Sequence, residues 1–401
     1  MSHIVVTGIG IISAAGRTPD EVWKALLDGR SGLGRLTLFS STRCGQFPVA
    51  EVRGDLSADL PDGSRSDRLA LYAAREAYRH AGLGNLAGRE AIGIVLGNCT
   101  GGMDESEEFV RGLLKENRAE FELLRHHECA WPTNVVADSL GLRGFRATIS
   151  EACASGATAI ATACDAIRAG EAETVLAGGV DSLTRFTLNG FCSLLNVSPS
   201  GCRPFDAGRD GMSLGEGAGV LVLETAEHAA ARGARPLAVI AGYGATCDAY
   251  HATAPSPDGA GARKAMELAL EMAGLRPEEV DYLNAHGTGT IENDAAEARA
   301  IVELFGGRIP HVSSTKRFFG HTLAAAGAIE AIVCMLSIRH QVVPANLGLE
   351  RAADGLGFVP VTRTQPSPVC VTMSNSLGFG GQNSSLVITA PVPTHRDGRR
   401  L

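Results

Sequence analysis

The chain has 401 residues, 45% hydrophobic and 20% charged, enough for two or three average domains or one large fold built from related halves. A formal charge of −8 argues against nucleic acid as a partner, which selects for a basic excess. No run of about 18 apolar residues appears, so no membrane span is expected, and Met1-Ser2-His3 runs straight into the strand-like Ile4-Val5-Val6, which leaves no room for a signal peptide and points to the cytoplasm.

Short β-branched runs alternate with alanine-rich helical runs along the whole chain, the pattern of an α/β protein. In chain order the predicted strands are Ile4–Gly8, Ile92–Gly97, Ala147–Ser150, Thr174–Ala177, Val220–Leu223, Ala238–Tyr243, Tyr282–His286, His311–Ser314, Val369–Ser374 and Ser384–Thr389. The predicted helices are Pro19–Leu27, Asp67–Ala81, Ala154–Ala169, Gly259–Ala273 and Leu323–His340. Forty-nine glycines suit closely packed layers, and the charged end of the tail from Pro391 to Leu401 is expected to fray. Ten cysteines lie between Cys44 and Cys370 with no CxxC pair; they read as small buried hydrophobes, not as a disulfide framework.

The chain echoes itself. Strand Ala147–Ser150 leads into Cys153-Ala-Ser-Gly-Ala-Thr-Ala-Ile, and strand His311–Ser314 leads into His321-Thr-Leu-Ala-Ala-Ala-Gly-Ala-Ile. Each unit is a strand, a turn with a reactive side chain, and a small-residue helix. Two related halves are therefore expected, 1–235 carrying the cysteine and 236–401 carrying the histidines and Lys316.

Four stretches can carry chemistry. Cys153 stands where a strand gives way to a helix, so unpaired N–H groups and the helix dipole would favour its thiolate; the bland alternative is one more buried cysteine. Asn284-Ala-His286-Gly-Thr288-Gly-Thr290 places a histidine at a strand end, followed by glycines and hydroxyls suited to an amide-rich arm. In Ser314-Thr-Lys316-Arg-Phe-Phe-Gly-His321 the histidine precedes a helix that would keep its ring neutral, and Lys316 either pairs with Glu330 or is a solvated surface residue. Asn375-Ser-Leu-Gly378-Phe379-Gly380-Gly381-Gln-Asn383 has more glycines than a hairpin needs, and so suggests a backbone N–H aimed at an oxyanion, with Phe379 as a gate.

In this order and spacing, Cys153, His286-Gly-Thr-Gly-Thr, Lys316…Gly-His321 and Gly-Phe379-Gly-Gly resemble the β-ketoacyl-(acyl carrier protein) synthases of the thiolase-like superfamily. Arg203-Pro-Phe-Asp206, Arg209-Asp-Gly…Gly215-Glu-Gly and the opening Thr7-Gly-Ile-Gly fit the same pattern, so the resemblance runs from Val5 to about Thr389. It implies a duplicated five-layer α/β/α/β/α fold and a decarboxylative Claisen condensation in fatty-acid or type II polyketide or polyene synthesis. Cys153 would take the acyl group, and His286 and His321 would hydrogen-bond the enolate oxygen. The N–H groups of Cys153 and Phe379 would form the oxyanion hole, Lys316 would orient the histidines through Glu330, and Thr288 and Thr290 would hold phosphopantetheine. The partners implied are an acyl carrier protein and a second subunit, either the same chain or a chain-length-factor-like homologue. No metal or cofactor is implied beyond the carrier's phosphopantetheine, since a malonyl thioester can lose CO₂ with neutral donors at its oxygen.

Several residues depart from the pattern. Glu151 stands two before the nucleophile, where strand alternation would turn a carboxylate toward the thiol unless the chain turns first. Arg317-Phe-Phe319, Gln382 and Phe191-Cys-Ser-Leu-Leu-Asn also differ, the last lacking a basic residue for carrier docking; Arg65 and Arg68 are the docking candidates instead. A biosynthetic thiolase is the runner-up, but it needs a second reactive cysteine, and Cys370 sits in an apolar strand. His126-His127-Glu128-Cys129 reads as a solvated loop, Arg111–Glu122 as an exposed helix face, and Gly8-Ile-Gly10 lacks the third glycine of a dinucleotide fingerprint.

Overall fold

The structure is a computed structural model that describes residues 3–391 apart from 59, 87, 89 and 90, so most of the tail lies outside the described residues. The first half runs β1 (Ile4–Ser13), α1 (Pro19–Leu27), α2 (Arg65–His80), β2 (Gly93–Gly97), α3 (Met103–Glu116), α4 (Trp131–Leu140), β3 (Arg146–Ile149), α5 (Ser155–Arg168), β4 (Thr174–Asp181), α6 (Arg185–Ser193), β5 (Gly217–Thr225) and α7 (Ala226–Ala231). The second runs β6 (Ala238–Cys247), α8 (Ala260–Ala273), β7 (Tyr282–Asn284), α9 (Ile291–Phe305), β8 (His311–Ser313), α10 (Lys316–Phe319), α11 (Ala326–His340), β9 (Val342–Val343), β10 (Gln365–Pro366), β11 (Val371–Gly378) and β12 (Gln382–Thr389).

Ten strands join edge to edge in the order β3-β2-β4-β5-β1-β6-β12-β11-β7-β8. Read inward from either end, the order and sense repeat. Three parallel strands (β3, β2, β4 or β8, β7, β11) are followed by two antiparallel ones (β5, β1 or β12, β6), and β1 pairs with β6 at the seam. This is the topology of a duplicated fold. Outside the sheet, α2 covers β1, β5 and β4, as α8 covers β6 and β12; α5 and α11 pack together between the two halves.

The repeat has a cause in small residues. A Cβ on Gly8 or Gly10 would lie 2.4 or 2.0 Å from the carbonyls of Ala77 and Ala73 on α2. On Gly242 or Gly244 it would lie 2.1 or 2.2 Å from the carbonyls of Ala269 and Ala265 on α8. Gly-x-Gly in β1 is therefore a helix-packing device, matched by Gly-x-Gly in β6, and belongs to no dinucleotide turn.

The structure lengthens most predicted strands. β1 reaches Ser13 and β4 reaches Asp181, and both are buried along their whole length, so neither shows the polar alternation that marks an edge. Residues 375–383 do form a hairpin: β11 and β12 pair from Val371↔Thr389 to Gly378↔Gln382, and Gly380 and Gly381 take positive φ in the turn. Leu323–His340 reaches the length and mean hydropathy of a membrane-spanning helix, although Glu330 and Arg339 interrupt it, so no unbroken apolar run of that length occurs. It is 89% buried inside the protein and serves as a core helix between the halves.

Three other expectations are corrected. Cys44 and Cys192 are joined in a disulfide between the Arg30–Ala50 loop and α6, and Cys247 is exposed, so not all ten cysteines are buried thiols. His126 is 5% exposed, with Nδ1 2.9 Å from Glu105 Oε2 and 3.6 Å from Asp67 Oδ2, while His127 and Glu128 face solvent. Among the described residues no group of three or more such side chains is arranged to hold a metal ion. The helix expected over Arg111–Glu122 does not run that far: α3 ends at Glu116, and Asn117 takes φ 51°.

Arg65 is no docking residue, because it is bound to fully buried Glu216 through Nε at 2.7 Å and Nη2 at 2.5 Å. Arg68 spends its guanidinium on the carbonyls of Leu60 and Pro61. Arg65→Ala would strand the Glu216 carboxylate, although the N–H groups of Val52 and Leu183 would still serve it. A loss of about 3 kcal/mol in urea unfolding is expected, at the low end for a broken buried pair.

Candidate active site

The two parallel trios of strands end on one side of the molecule, and their loops carry the candidate residues. β3 ends at Ile149 ahead of Cys153, β7 at Asn284 ahead of His286, β8 at Ser313 ahead of Lys316 and His321, and β11 at Gly378 ahead of Phe379. A cavity of about 230 Å³ is lined by Cys153, His286, His321, Thr288, Thr290 and Phe379. The first turns of α5 and α11 meet closely, and a Cβ on Gly156 would lie 2.5 Å from the Ala324 carbonyl. Small residues thus bring the cysteine turn and the His321 turn together.

Cys153 sits in a single helical turn, Ala152–Ala154, just before α5, and Ala152 bends the chain with φ 48°. That bend undoes the alternation expected for Glu151: its N–H donates to Ser155 Oγ, and the carboxylates that raise the thiol are Asp181 and Glu330. The thiol is 5% exposed. Burial pushes it up to about 12, against the opposing pull of the Lys316 ammonium and the Phe379 N–H. The expected thiolate is therefore not the resting state; desolvation outweighs the helix terminus. A proton acceptor or donor must lie near, and one does: His321 Nε2 is 2.9 Å from Cys153 Sγ.

Both histidines are buried, and their rings stand nearly perpendicular with centroids 5.2 Å apart. Burial first, and the Lys316 charge second, hold both imidazoles well below the usual range, so both are neutral at pH 7. The predicted link through Lys316 is present and reaches further than expected. Its Nζ is 2.5 Å from Glu330 Oε1 and 3.4 Å from His286 Nδ1. An ammonium cannot accept a hydrogen bond, so Nδ1 must be the acceptor and the His286 proton sits on Nε2. Lys316 is 1% exposed and is no surface lysine.

Thr288 Oγ1 and Thr290 Oγ1 lie 2.9 Å apart on the cavity wall. Phe379 packs against Phe191 at 5.3 Å, and its N–H points at the Cys153 sulfur. A Cβ on Gly378 would lie 3.2 Å from the Cys153 N, which shows how closely the two N–H-bearing turns approach.

Three buried carboxylates escaped the sequence reading. Glu297 accepts from the N–H groups of His286 and Gly287 and from Asn375, fixing the histidine loop to β11. Asp294 accepts from Phe205 N and Gly289 N. Asp181 accepts from the β2 loop and from Ala324 N. The first two lie early on α9, where acids are ordinary, and only their zero exposure marks them. Asp181 ends an apolar strand as a lone acid, a signal that could have been read.

Burial pushes Glu330 up to about 7, with Lys316 opposing. Below that pH the carboxyl is protonated and Lys316 loses its partner, so any activity that depends on the His286 orientation should rise with pH through about 7. In Glu330→Gln that limb should vanish from the pH–rate profile.

Two family models match the chain: "Beta-ketoacyl synthase, N-terminal domain" over residues 1–229 and "Beta-ketoacyl synthase, C-terminal domain" over residues 237–350. Nodulation protein E of Rhizobium meliloti (strain 1021) is 40% identical, the alignment covering 96% of this chain and 98% of that protein. The 3-oxoacyl-[acyl-carrier-protein] synthase 2 of Synechocystis sp. is 37% identical over 96% of this chain and 97% of that protein. Among solved structures, the ishigamide ketosynthase/chain length factor is similar at TM-score 0.93 and 33% identity, covering 97% of this chain and 99% of that one.

Proposed function

The chain belongs to the beta-ketoacyl synthase family, and from that membership we propose how its own residues divide the work of condensation. It is an acyltransferase, a ketosynthase that condenses an acyl thioester with a malonyl carrier in fatty-acid or polyketide synthesis. One observation carries the assignment of roles: Cys153, His286 and His321 meet in one buried cavity, with His321 Nε2 2.9 Å from the sulfur.

In loading, Cys153 attacks the carrier-bound acyl carbonyl. A bond from Sγ to the acyl carbon forms, the bond between the acyl carbon and the pantetheine sulfur breaks, and the cysteine proton passes to the departing thiolate, with His321 placed to relay it. The N–H groups of Cys153 and Phe379 stabilise the oxyanion. In condensation, the malonyl C–CO₂ bond breaks and the electrons collect on the thioester oxygen. The Nε2–H of His286, with His321 beside it, donates to that oxygen. The enolate carbon then attacks the acyl-cysteine carbonyl carbon, the bond from that carbon to Sγ breaks, and the released Cys153 thiolate takes a proton from solvent, with His321 placed to relay it.

Neutral donors suit this step, because a charged imidazolium would cost more to bury and would protonate the enolate carbon. Thr288 and Thr290 line the route of the phosphopantetheine arm. The thiolase alternative needs a second cysteine in the cavity; Cys370 precedes β11 at the end remote from Gly378, which counts against it.

An acyl carrier protein is the proposed partner, and a chain-length-factor-like homologue is the favoured second subunit, given the similarity to the ishigamide ketosynthase/chain length factor. Intact-mass measurement after incubation with an acyl carrier protein should show one acyl group added, mapped to Cys153. A second acylated site, or none, would reject the nucleophile.

A further inference from the structure

Asp181 is fully buried at the end of β4, and its two carboxylate oxygens serve different loops. Oδ1 accepts from Asn98 Nδ2 at 3.0 Å, Cys99 N at 3.0 Å, Thr100 N at 2.9 Å and Thr100 Oγ1 at 2.8 Å. Oδ2 accepts from Ala324 N at 2.8 Å. The first set fixes the loop after β2, whose Cys99 backs the nucleophile turn: Cys99 Sγ lies 3.6 Å from the Ala152 carbonyl and 3.5 Å from Ser155 Oγ. The single bond of Oδ2 fixes the turn three residues after His321.

The His321 turn needs such a tether. Leu323 holds φ 51°, a left-handed conformation that costs a leucine energy and persists only where its surroundings impose it. The remaining backbone bonds at His321 itself, N–H to Ser213 O at 2.6 Å and O to Gly215 N–H at 3.0 Å, anchor the N-terminal side of the turn. Ala324 N to Asp181 anchors the other side, across the seam between the two halves. We infer that Asp181 is a positioning residue that joins the turn of Cys153 to the turn of His321 and so sets the separation between sulfur and imidazole. The inference rests on the condensing chemistry proposed above, and it explains why one carboxylate is retained where desolvation is severe: four donors on one oxygen and one on the other satisfy it.

Asp181→Asn separates the two functions of the carboxylate. An amide keeps one acceptor oxygen, which the four donors of the β2 loop will claim. Its NH₂ then faces the Ala324 N–H, donor against donor, and only the His321 turn is released. Three readouts are needed. The first is alkylation of Cys153 by iodoacetamide, followed by peptide mass mapping across pH; it needs no carrier protein and so stands even if the proposed substrates are wrong. Removing the Asp181 charge alone would move the Cys153 alkylation profile to lower pH, because that carboxylate raises the thiol. Displacing His321 takes a hydrogen-bonding partner from the sulfur and should outweigh this, moving the profile to higher pH. The second is the balance of half-reactions, in which decarboxylation of a malonyl carrier should fall at least tenfold more than acyl loading. The third is thermal unfolding of Asp181→Asn beside Asp181→Ala, which strands all five donors and should be the less stable of the two.

A profile that stays in place or moves to lower pH, in an Asp181→Asn protein as stable as the parent, would overturn the inference. So would equal loss of both half-reactions in step with lost stability, which would make Asp181 a structural cap only. A parent enzyme that neither loads nor decarboxylates, yet shows the shift on Asp181→Asn, would leave the positioning role standing and reject the proposed reaction.

Discussion

Cys153→Ala should abolish acyl-enzyme formation and still release CO₂ from a malonyl carrier, while His286→Ala should load normally and fail to decarboxylate. The two reactions use different groups. Loading requires the sulfur and the N–H groups of Cys153 and Phe379; decarboxylation requires donors at the malonyl thioester oxygen. His286 Nε2–H is such a donor because Lys316 Nζ occupies Nδ1 at 3.4 Å. Removing one donor of this kind costs roughly 2.7–4 kcal/mol, about a hundred- to a thousandfold in rate. His321 should differ from His286, since its Nε2 lies 2.9 Å from Cys153 Sγ as well as facing the cavity. His321→Ala should therefore slow both steps, decarboxylation more. Labelled CO₂ release and mass-spectrometric loading, run on the same three variants, decide the matter. A His286→Ala enzyme that decarboxylates at the parent rate but loads slowly would make that ring a base for the thiol.

Much of this site was legible because its chemistry sits on short motifs at strand ends. Cys153, His286, Lys316 with His321, and Phe379 follow four strands, and the fold brings those four turns around one cavity. The duplication was legible too, in the paired strand–turn–helix units, and the Gly-x-Gly pairs of β1 and β6 would have sharpened it. What sequence could not give was burial. Helix-end placement predicted a favoured thiolate at Cys153, yet desolvation dominates and holds the thiol up to about 12. Arg65 looked like a free basic residue at a helix start, but its partner Glu216 is 151 positions away. Cys44 and Cys192 lie 148 positions apart, and no local signal links them. Asp181 and Glu297 act through backbone N–H groups of distant loops, a role any residue type can receive. Long-range satisfaction of buried charge is invisible without coordinates.

The Lys316–Glu330 pair offers the sharpest separation of stability from catalysis. Both side chains are at most 3% exposed, and their 2.5 Å contact lies beside both histidines. Lys316→Ala alone would leave Glu330 buried without its partner, and breaking such a pair costs about 3–5 kcal/mol. Activity would be lost as well, but a poorly folded protein would explain that equally. The double variant Lys316→Met, Glu330→Leu removes both charges and keeps much of the volume. Replacing a buried ion pair with apolar side chains is often neutral or stabilising by about 1–4 kcal/mol, so this protein should unfold at or above the parent's urea midpoint. Its His286 should lose the Nδ1 partner that fixes the tautomer, and decarboxylation should fall about a hundredfold or more, since the ring would no longer be held with Nε2–H toward the substrate. Loading through Cys153 and Phe379 should persist. If the double variant is stable and still decarboxylates at the parent rate, Lys316 is there for the fold and not for the histidine. If it is stable, loads, and cannot decarboxylate, the charge is kept for the orientation it gives to one imidazole.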